Sequence, residues 1–555
     1  TKTRNRWIGL VFISMAISLV IIDGTIVNTI FPNVIRALNL TSTQVQWVQE
    51  SYVLVFASLL LVWGSLADRV GRRLLLVIGL SIFVLASMWA GFSTDASSMI
   101  LARVAQGFGG AMVLPTTLSL VNANFQGKER GIAFAVWGST IGGMVALGPV
   151  LGGWLATDFG ADGWRLAFNI NLPLGLLVIA GLLIWVSESK QAHREGGIDI
   201  VGALISVVMF ATLVFGLIEG RVYGWWEAST KNAFEIGDFK WPTDGISIIP
   251  VSLAISVVFT VLFVLWERAR DKAHKNVLLD LALFKISSFR NGSFAALIIS
   301  MGEFGLLFAI PLWLQNVEGL TPVSSGLVLL WLAGGAFLAS GVGGALSGKL
   351  PAVRAVQIGV LFELIGVAGI SLVASTAGGW WPIAPFLLLY GIGVGLATAQ
   401  LTGVIMVEVP MAKIGQASGS QSTVRQIGSA LGIAVLGTVL FTATQSAGET
   451  RIREIPFVKT ATQAQQDTFV KDISATVVDS AGAALPVISG FLTQQGMPQE
   501  VADQVQIAAS EGFTDGVKAT GWAAAGFLFL GLLSTFSMGA RRRPEEKKAE
   551  VTETE

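Results

Sequence analysis

The sequence has no cysteine, which excludes disulfide bonds, thiolate metal sites and cysteine nucleophiles. It has only two histidines, His193 and His274, and both lie in charged segments outside the apolar runs. A proton held within an apolar run must therefore bind to a carboxylate. Charged residues make up 13% of the chain, about half of their share in an average soluble domain. So few charges cannot cover the water-exposed surface of a soluble protein.

Apolar residues make up 53% of the 555 residues and gather in long runs bounded by charge. At about 1.5 Å per helical residue, each run can cross most or all of a hydrocarbon core of about 30 Å. The runs predict an all-α polytopic membrane protein with fourteen transmembrane helices. The predicted spans are 7–32, 45–66, 73–93, 97–122, 130–156, 165–186, 199–219, 247–267, 290–314, 322–347, 354–375, 383–407, 414–441 and 518–540.

The loop between the second and third spans carries three arginines and one aspartate. Its sequence is Gly64-Ser65-Leu66-Ala67-Asp68-Arg69-Val70-Gly71-Arg72-Arg73. The positive-inside rule places this loop in the cytoplasm, and most of the 36 Lys and Arg residues fall on the same side, so both termini are expected there. The loop could be only a topology anchor. It could also be a conformational latch, in which Asp68 caps the third helix and Arg69, Arg72 and Arg73 reach the facing half. Such contacts would favour the outward-facing state.

An internal repeat relates the two ends of the chain. At an offset of 280 residues, Gly64–Arg69 aligns with Gly344–Lys349, and Asp23 aligns with Glu303. Repeated halves around a midplane site are typical of secondary transporters. The repeat predicts two pseudo-symmetric six-helix bundles with two inserted helices. The predicted divisions are 1–190, the insert 191–285, 286–541 with a polar external segment 442–517, and a cytoplasmic tail 542–555.

The acidic residues Asp23, Glu303 and Glu363 lie well inside predicted spans, away from their ends. A carboxylate there is costly, so each is expected to face a cavity, carry a proton part of the time or pair with a cation. We expect these acids to handle the proton of a transport cycle. A static hydrogen bond to a neighbouring helix is the alternative for each, and Glu363 has no counterpart in the repeat.

Two cations, Arg103 and Arg425, also lie inside predicted spans. Arginine stays charged, so a buried arginine needs an acid or several carbonyl groups as partners. Arg425 could pair with Glu303, Glu363 or Glu408, and the sequence does not choose among them.

The loop 64–73 resembles the signature loop between helices 2 and 3 of the major facilitator superfamily of secondary transporters. Four further stretches are similar to motifs of this superfamily, two of them typical of its fourteen-span drug:proton antiporters. They are Ile22–Asn28 with Pro32, Leu101–Gly107, Gly148–Gly153, and Trp164–Arg165 with Asn169–Gly175. The first match is imperfect, because Gly24 follows Asp23 and Phe31 precedes the proline.

The resemblance implies proton-coupled export, by antiport, of amphipathic, lipophilic and often cationic compounds across the cytoplasmic membrane of a bacterium. The proton gradient would supply the energy, so no cofactor or metal is expected. The implied partners are protons, the bilayer and a small lipophilic substrate, without nucleic acid, and the protein would be a monomeric transporter and not an enzyme. Export of a lipid, siderophore or metabolite stays open as an alternative, and a non-transporting receptor is a further one.

The resemblance also implies roles for particular residues. Arg103 would influence proton release from Asp23 in the first helix. A glycine-rich antiporter motif in the fifth helix comprises Gly148, Pro149, Gly152 and Gly153. Aromatic groups should line the substrate cavity, and the candidates are Phe304, Phe308, Trp313, Trp331 and Phe337.

Overall fold

The computed structural model of the protein describes residues 2–40, 42–190, 198–230, 232–236, 239–346 and 350–538. Almost all of these residues are helical, which confirms the predicted all-α membrane fold. The start of the predicted insert, Gly348 and Lys349 of the repeat, and the predicted tail 542–555 lie outside the described residues.

The described part contains eighteen α-helices and one short β-hairpin. In chain order the helices are α1 Lys2–Leu38, α2 Ser42–Val70, α3 Arg72–Gly91, α4 Ala96–Asn124, α5 Gly127–Asp158, α6 Gly163–Asn169, α7 Asn171–Trp185, α8 Ile200–Tyr223, α9 Ile248–Lys272, α10 Ser287–Asn316, α11 Pro322–Leu346, α12 Ala352–Val373, α13 Ala384–Met406, α14 Ile414–Glu454, α15 Pro456–Lys459, α16 Gln463–Asp479, α17 Ile488–Gln494 and α18 Gln499–Thr535. The hairpin pairs β1 (Glu235–Ile236) with β2 (Phe239–Lys240) between α8 and α9.

Thirteen helical segments of the described chain are long and apolar enough to cross a membrane. They match thirteen of the fourteen predicted spans, and α6 and α7 together form one of them. The remaining predicted span, 130–156, falls on α5, whose 32 residues reach about 48 Å at 1.5 Å per residue.

Side-chain caps fix the start of several helices. Asp95 accepts a hydrogen bond from the Ser98 amide at the start of α4, and Asp199 accepts one from the Gly202 amide at the start of α8. These carboxylates satisfy amide groups that the first turn of a helix leaves unpaired.

The predicted external segment 442–517 is not a separate unit. The two spans that flank it continue as unbroken helices, α14 to Glu454 and α18 from Gln499. Arg451 joins these extensions through an ion pair with Glu511 and another with Asp515 at 2.8 Å. The helices continue past the predicted span limits at 441 and 518, because polar residues can extend a helix beyond an apolar run when a neighbouring helix supplies partners.

Glycines let helices of this fold approach closely. Gly148 on α5 lies against α1, and a Cβ atom there would come within 2.8 Å of the Thr25 Cβ and 3.0 Å of the Ile26 nitrogen. Gly153 on the same helix lies against Val323 of α11. The antiporter motif therefore packs α5 against α1 within its own half and against α11 of the facing half.

Replacing Gly148 by valine should destabilise the protein by about 1–3 kcal/mol, because the side chain would meet backbone atoms that cannot move aside. A lower thermal unfolding temperature in detergent would show this effect. Gly334→Val on α11 is the matched control, since no atom lies within 4 Å of a Cβ built at Gly334. An equal shift for both variants would contradict the packing argument.

Candidate functional site

Asp23 and Arg103 form a buried ion pair inside the first half. The Asp23 Oδ2 atom lies 2.6 Å from Nη1 of Arg103, and Asp23 is only 1% exposed. Its other oxygen accepts hydrogen bonds from the side-chain amides of Gln106 at 3.0 Å and Asn171 at 3.3 Å. Both carboxylate oxygens are thus bonded, which offsets the loss of water.

The partners of this pair are themselves held in place. Gln106 and Asn171 both donate to the hydroxyl of Ser87, at 2.6 and 3.1 Å. The Arg103 guanidinium lies 4.2 Å from the centre of the Tyr52 ring, a cation–π contact. Five helices, α1 to α4 and α7, therefore meet in one network in which the ion pair has little freedom to separate.

Glu303 of α10 occupies the corresponding place in the second half, and the structure brings Arg425 of α14 to it. Their closest oxygen and nitrogen atoms are 3.6 Å apart. Thr398 of α13 lies between them and bonds both weakly, at 3.5 Å to Glu303 and 3.4 Å to Arg425. The Arg425 side chain is 22% exposed, so this pair is longer and more accessible than the first.

Glu363 of α12 lies behind Glu303 and within its electrostatic reach. It is 0% exposed, and neither of its carboxylate oxygens has a hydrogen-bond partner among the described residues. Gly393 of α13 covers the side chain closely, since a Cβ there would come within 2.6 Å of the Glu363 Cγ. The hydroxyl of Tyr390 nearby donates to the backbone carbonyl of Glu303 at 2.8 Å. Among the described residues the Glu363 carboxylate therefore has no hydrogen-bond donor, and the charge of Arg425 acts on it only from a distance.

Asp68 of the loop 64–73 bridges the two halves. Its carboxylate pairs with Arg72 at 2.7 Å and accepts hydrogen bonds from the amides of Gly415, at 2.8 and 2.9 Å, and Gln416, at 3.3 Å. These amides belong to the first turn of α14, where unpaired N–H groups and the helix dipole favour an anion. The expected cap of the third helix was wrong, because Asp68 instead caps a helix of the facing half.

The cap of α3 is Glu188, which the sequence did not indicate. Its oxygens accept hydrogen bonds from the amides of Arg73 at 3.0 Å and Leu74 at 2.9 Å. Gly71 is required beside it, because its φ of 122° is accessible mainly to glycine. The Arg73 side chain donates to the carbonyl of Val186, so this arginine bonds within its own half.

Arg72 does reach the facing half, where it donates to the carbonyl of Met411 at 3.3 Å. Arg69 lines a small cavity between α2 and the start of α8. Close approach of the helices supports the contact, since Gly64 of α2 lies so near Gly419 of α14 that a Cβ would come within 2.5 Å of its Cα. The side of the protein that carries this loop, named the loop side here, is therefore closed.

The five predicted cavity aromatics do not meet in one place. Trp313 is buried and donates its indole N–H to Thr514 of α18 at 3.0 Å. Phe308 packs against Phe441 of α14, with ring centres 6.5 Å apart, and Phe304 is half-buried on α10. Trp331 and Phe337 line an open apolar groove of about 550 Å³ on α11, together with Leu327, Leu330, Gly334, Leu338 and Leu388.

Comparison with known proteins decides the family. The profile of the Major Facilitator Superfamily matches residues 13–433. The chain belongs to this superfamily. Its members are transporters and not enzymes, and the predicted resemblance is confirmed.

Two bacterial members illustrate the similarity. The probable actinorhodin transporter of Streptomyces coelicolor is 29% identical over 98% of this chain and 93% of its own length. The multidrug resistance protein Stp of Mycobacterium tuberculosis is 32% identical over 79% of this chain and 76% of its own. The human organic anion transporter MFSD10 shares the superfamily fold at 12% identity, with a TM-score of 0.56 over 95% of this chain and 99% of its own.

Several site residues were missed from the sequence. Gln106 and Asn171 stand inside the stretches Leu101–Gly107 and Asn169–Gly175 that carry the resemblance, but only the fold shows that both contact Asp23. Thr398 lies in no motif and could not have been selected. The available signal was the presence of polar residues inside apolar runs, since a polar side chain there needs a partner such as the acid of a neighbouring helix.

Asp23→Asn should strongly destabilise the protein, because the buried Arg103 would lose its anion; breaking such a pair costs about 3–5 kcal/mol. Glu303→Gln is the comparison, since Arg425 is partly exposed and keeps Thr398. Thermal unfolding in detergent should show a much larger loss for Asp23→Asn. Equal losses would mean that the two pairs are held alike.

Asp68→Asn should weaken the contact between the halves by about 1.5–3 kcal/mol, because an uncharged amide binds Arg72 and the α14 amides less strongly. Spin labels at the loop-side ends of α2 and α14 should then report a larger population of long distances. Glu188→Gln serves as the control, because Glu188 caps α3 within one half. Unchanged distances in Asp68→Asn would mean that the loop is only a topology anchor and does not hold the halves together.

Proposed function

We propose that the protein exports amphipathic, lipophilic compounds, including cationic drugs, in exchange for protons. Relatives named as a transporter of actinorhodin and as a multidrug resistance protein support export of small compounds. The observation that carries proton coupling is the contrast between the two buried acid–arginine pairs. The Asp23–Arg103 pair is buried, and both oxygens of its carboxylate are bonded. The Glu303–Arg425 pair is longer and partly exposed, and it lies next to Glu363, whose oxygens have no described hydrogen-bond partner.

In this proposal Glu303 is the acid that exchanges protons. Its carboxylate lies 3.6 Å from Arg425 and makes only one weak side-chain hydrogen bond, so few interactions oppose its protonation. Arg425 retains Thr398 as a partner when Glu303 is neutral. A proton on Glu303 removes the negative charge that a cationic substrate needs, so the proton and the cation exclude each other, which is the requirement for antiport.

Asp23 has a different role in the proposal. Its bonds to Arg103, Gln106 and Asn171 fix the helices of the first half and give that half a rigid wall, which corresponds to the static alternative. Glu363 stays neutral behind Glu303, because no described group pairs with its charge. The loop side faces the cytoplasm of a bacterium, so the closed contact at Asp68 corresponds to the outward-facing state.

Glu303→Gln should abolish proton-driven transport, because the amide keeps the volume of the side chain but cannot titrate. In proteoliposomes, uptake of a cationic dye driven by a pH gradient should fall to the level measured without a gradient. Counterflow exchange of the cationic dye should fall as well, because the amide also lacks the negative charge that the cation needs, whereas counterflow of an uncharged substrate should persist.

Glu363→Gln is the matched control, because an amide differs little from a carboxyl group that is already neutral. It should transport like the wild type under the same gradient. Gradient-driven uptake retained by Glu303→Gln would remove this acid from the mechanism. Transport of fluorescent lipid in place of dye would select the alternative cargo within the same fold.

A further inference from the structure

The two helices inserted between the halves, α8 and α9, continue into a connecting segment that we name the strap, residues 273–286. The strap leads from the end of α9 to the start of α10. It passes the loop-side end of α14, next to the amides that receive Asp68.

The insert and the strap form one bonded unit. The Glu267 carboxylate of α9 is buried and accepts hydrogen bonds from the strap amides of Leu278 at 3.0 Å and Leu279 at 3.4 Å. Arg270 donates to the strap carbonyl of Asn276 at 2.8 Å and pairs with Asp199, the cap of α8, at 3.0 Å. Movement of the strap relative to α8 and α9 would break several charged hydrogen bonds at once.

Gln416 attaches this unit to α14. Its side-chain amide donates to the carbonyl of Val277 at 3.3 Å and accepts from the amide of Asp280 at 3.2 Å. Lys413 forms an ion pair with the Asp280 carboxylate. The backbone amide of the same Gln416 bonds Asp68 across the seam between the halves. The strap thus fixes the position of the first turn of α14, whose backbone amides bond Asp68.

A second tie lies at the other end of α8. The Arg221 guanidinium lies 3.8 Å from the centre of the Phe441 ring of α14, a cation–π contact. The insert is therefore joined to α14 near both ends of α8, and it is joined covalently to α10 through the strap.

The contacts of the insert with α2 of the first half are of another kind. On the loop side, α2, the start of α8 and the strap enclose a small cavity. Most of its wall is apolar. The apolar residues are Val62 and Leu66 of α2, Ile198 before α8, Ala203 of α8, and Val277 and Leu278 of the strap, and the polar residues are Ser65, Arg69 and Asp199. Near the far end, Trp47 of α2 meets Phe234 with ring centres 6.3 Å apart. Apolar contacts are non-directional, and a cavity leaves fewer atoms in contact, so the apolar part of this interface can separate at low cost.

We propose that the insert and the strap move with the second half as one body, on one side of the loop-side gate that the contact around Asp68 closes. When the loop side opens, the separation runs between α2 on one side and α8, the strap and α14 on the other. This inference rests on the proposed function only in that the loop side must open and close during transport, and not on the identity of the substrate or on proton coupling.

Paired cysteines test the proposal, and the absence of native cysteine makes each engineered pair the only thiols in the chain. One pair, Asp280→Cys with Lys413→Cys, links the strap to α14. The other, Leu66→Cys with Ala203→Cys, links α2 to α8. Each purified variant is treated with a short bifunctional methanethiosulfonate reagent, and counterflow exchange of a cationic dye is measured in proteoliposomes before and after reduction.

The strap–α14 link should leave counterflow unchanged, whereas the α2–α8 link should stop it until a reductant restores it. The four single-cysteine variants treated with the same reagent are the controls for modification alone. A strap–α14 link that stops exchange, or an α2–α8 link that does not, would overturn the proposal.

A second measurement does not depend on cargo. Spin labels attached through non-natural amino acids, and not through cysteine, at the loop-side ends of α2 and α14 report whether the gate opens in each linked variant. Distances frozen by the α2–α8 link but not by the strap–α14 link support the proposal even if the dye is not a substrate. If both variants fail to exchange the dye before linking but show normal distance changes, the result counts against the proposed function alone. If the strap–α14 link freezes the distances, the result counts against this inference alone.

Discussion

The structure depends on one constraint: a charge placed between membrane helices must find its partners within the protein, because the hydrocarbon core offers none. Three carboxylates meet this constraint in three ways. Asp23 uses an arginine and two amides, Asp68 uses an arginine and the first turn of α14, and Glu303 uses a more distant arginine. Each solution ties helices that are distant in sequence, so the charged residues determine how the apolar helices are arranged.

The same constraint separates fixed contacts from reversible ones. The Asp23 pair is closed on every side by partners of its own half, and separating it would leave two buried charges unpaired. Asp68 instead bonds backbone amides of another helix at the membrane surface, where water can replace them when the halves part. A contact of that kind can form and break in each cycle, which a fully buried ion pair cannot do.

Much of this arrangement could be predicted from the sequence. Apolar runs predicted the helices, and the offset of 280 residues matched Asp23 with Glu303, each of which lies on the first helix of its half beside an arginine. The partner of Arg425 could not be predicted, because the sequence allowed three acids and only the packing of the helices determines which one lies beside the arginine. The cap of α3 by Glu188 was missed for a related reason: 115 residues separate Glu188 from the Arg73 amide.

The repeat is symmetric in its acids but not in its arginines. Arg103 lies on the fourth helix of the first half, whereas Arg425 lies on α14, the helix whose loop-side end receives Asp68. The arginine of the second half therefore belongs to a helix of the gate, and the arginine of the first half does not. Only a movement of α14 relative to α10 during gate opening would change the distance between Arg425 and Glu303, and such a movement would leave Asp23 and Arg103 together. The longer and more exposed pair thus has its arginine on the helix that Asp68 caps, and this shared helix would link the gate to the acid proposed to exchange protons.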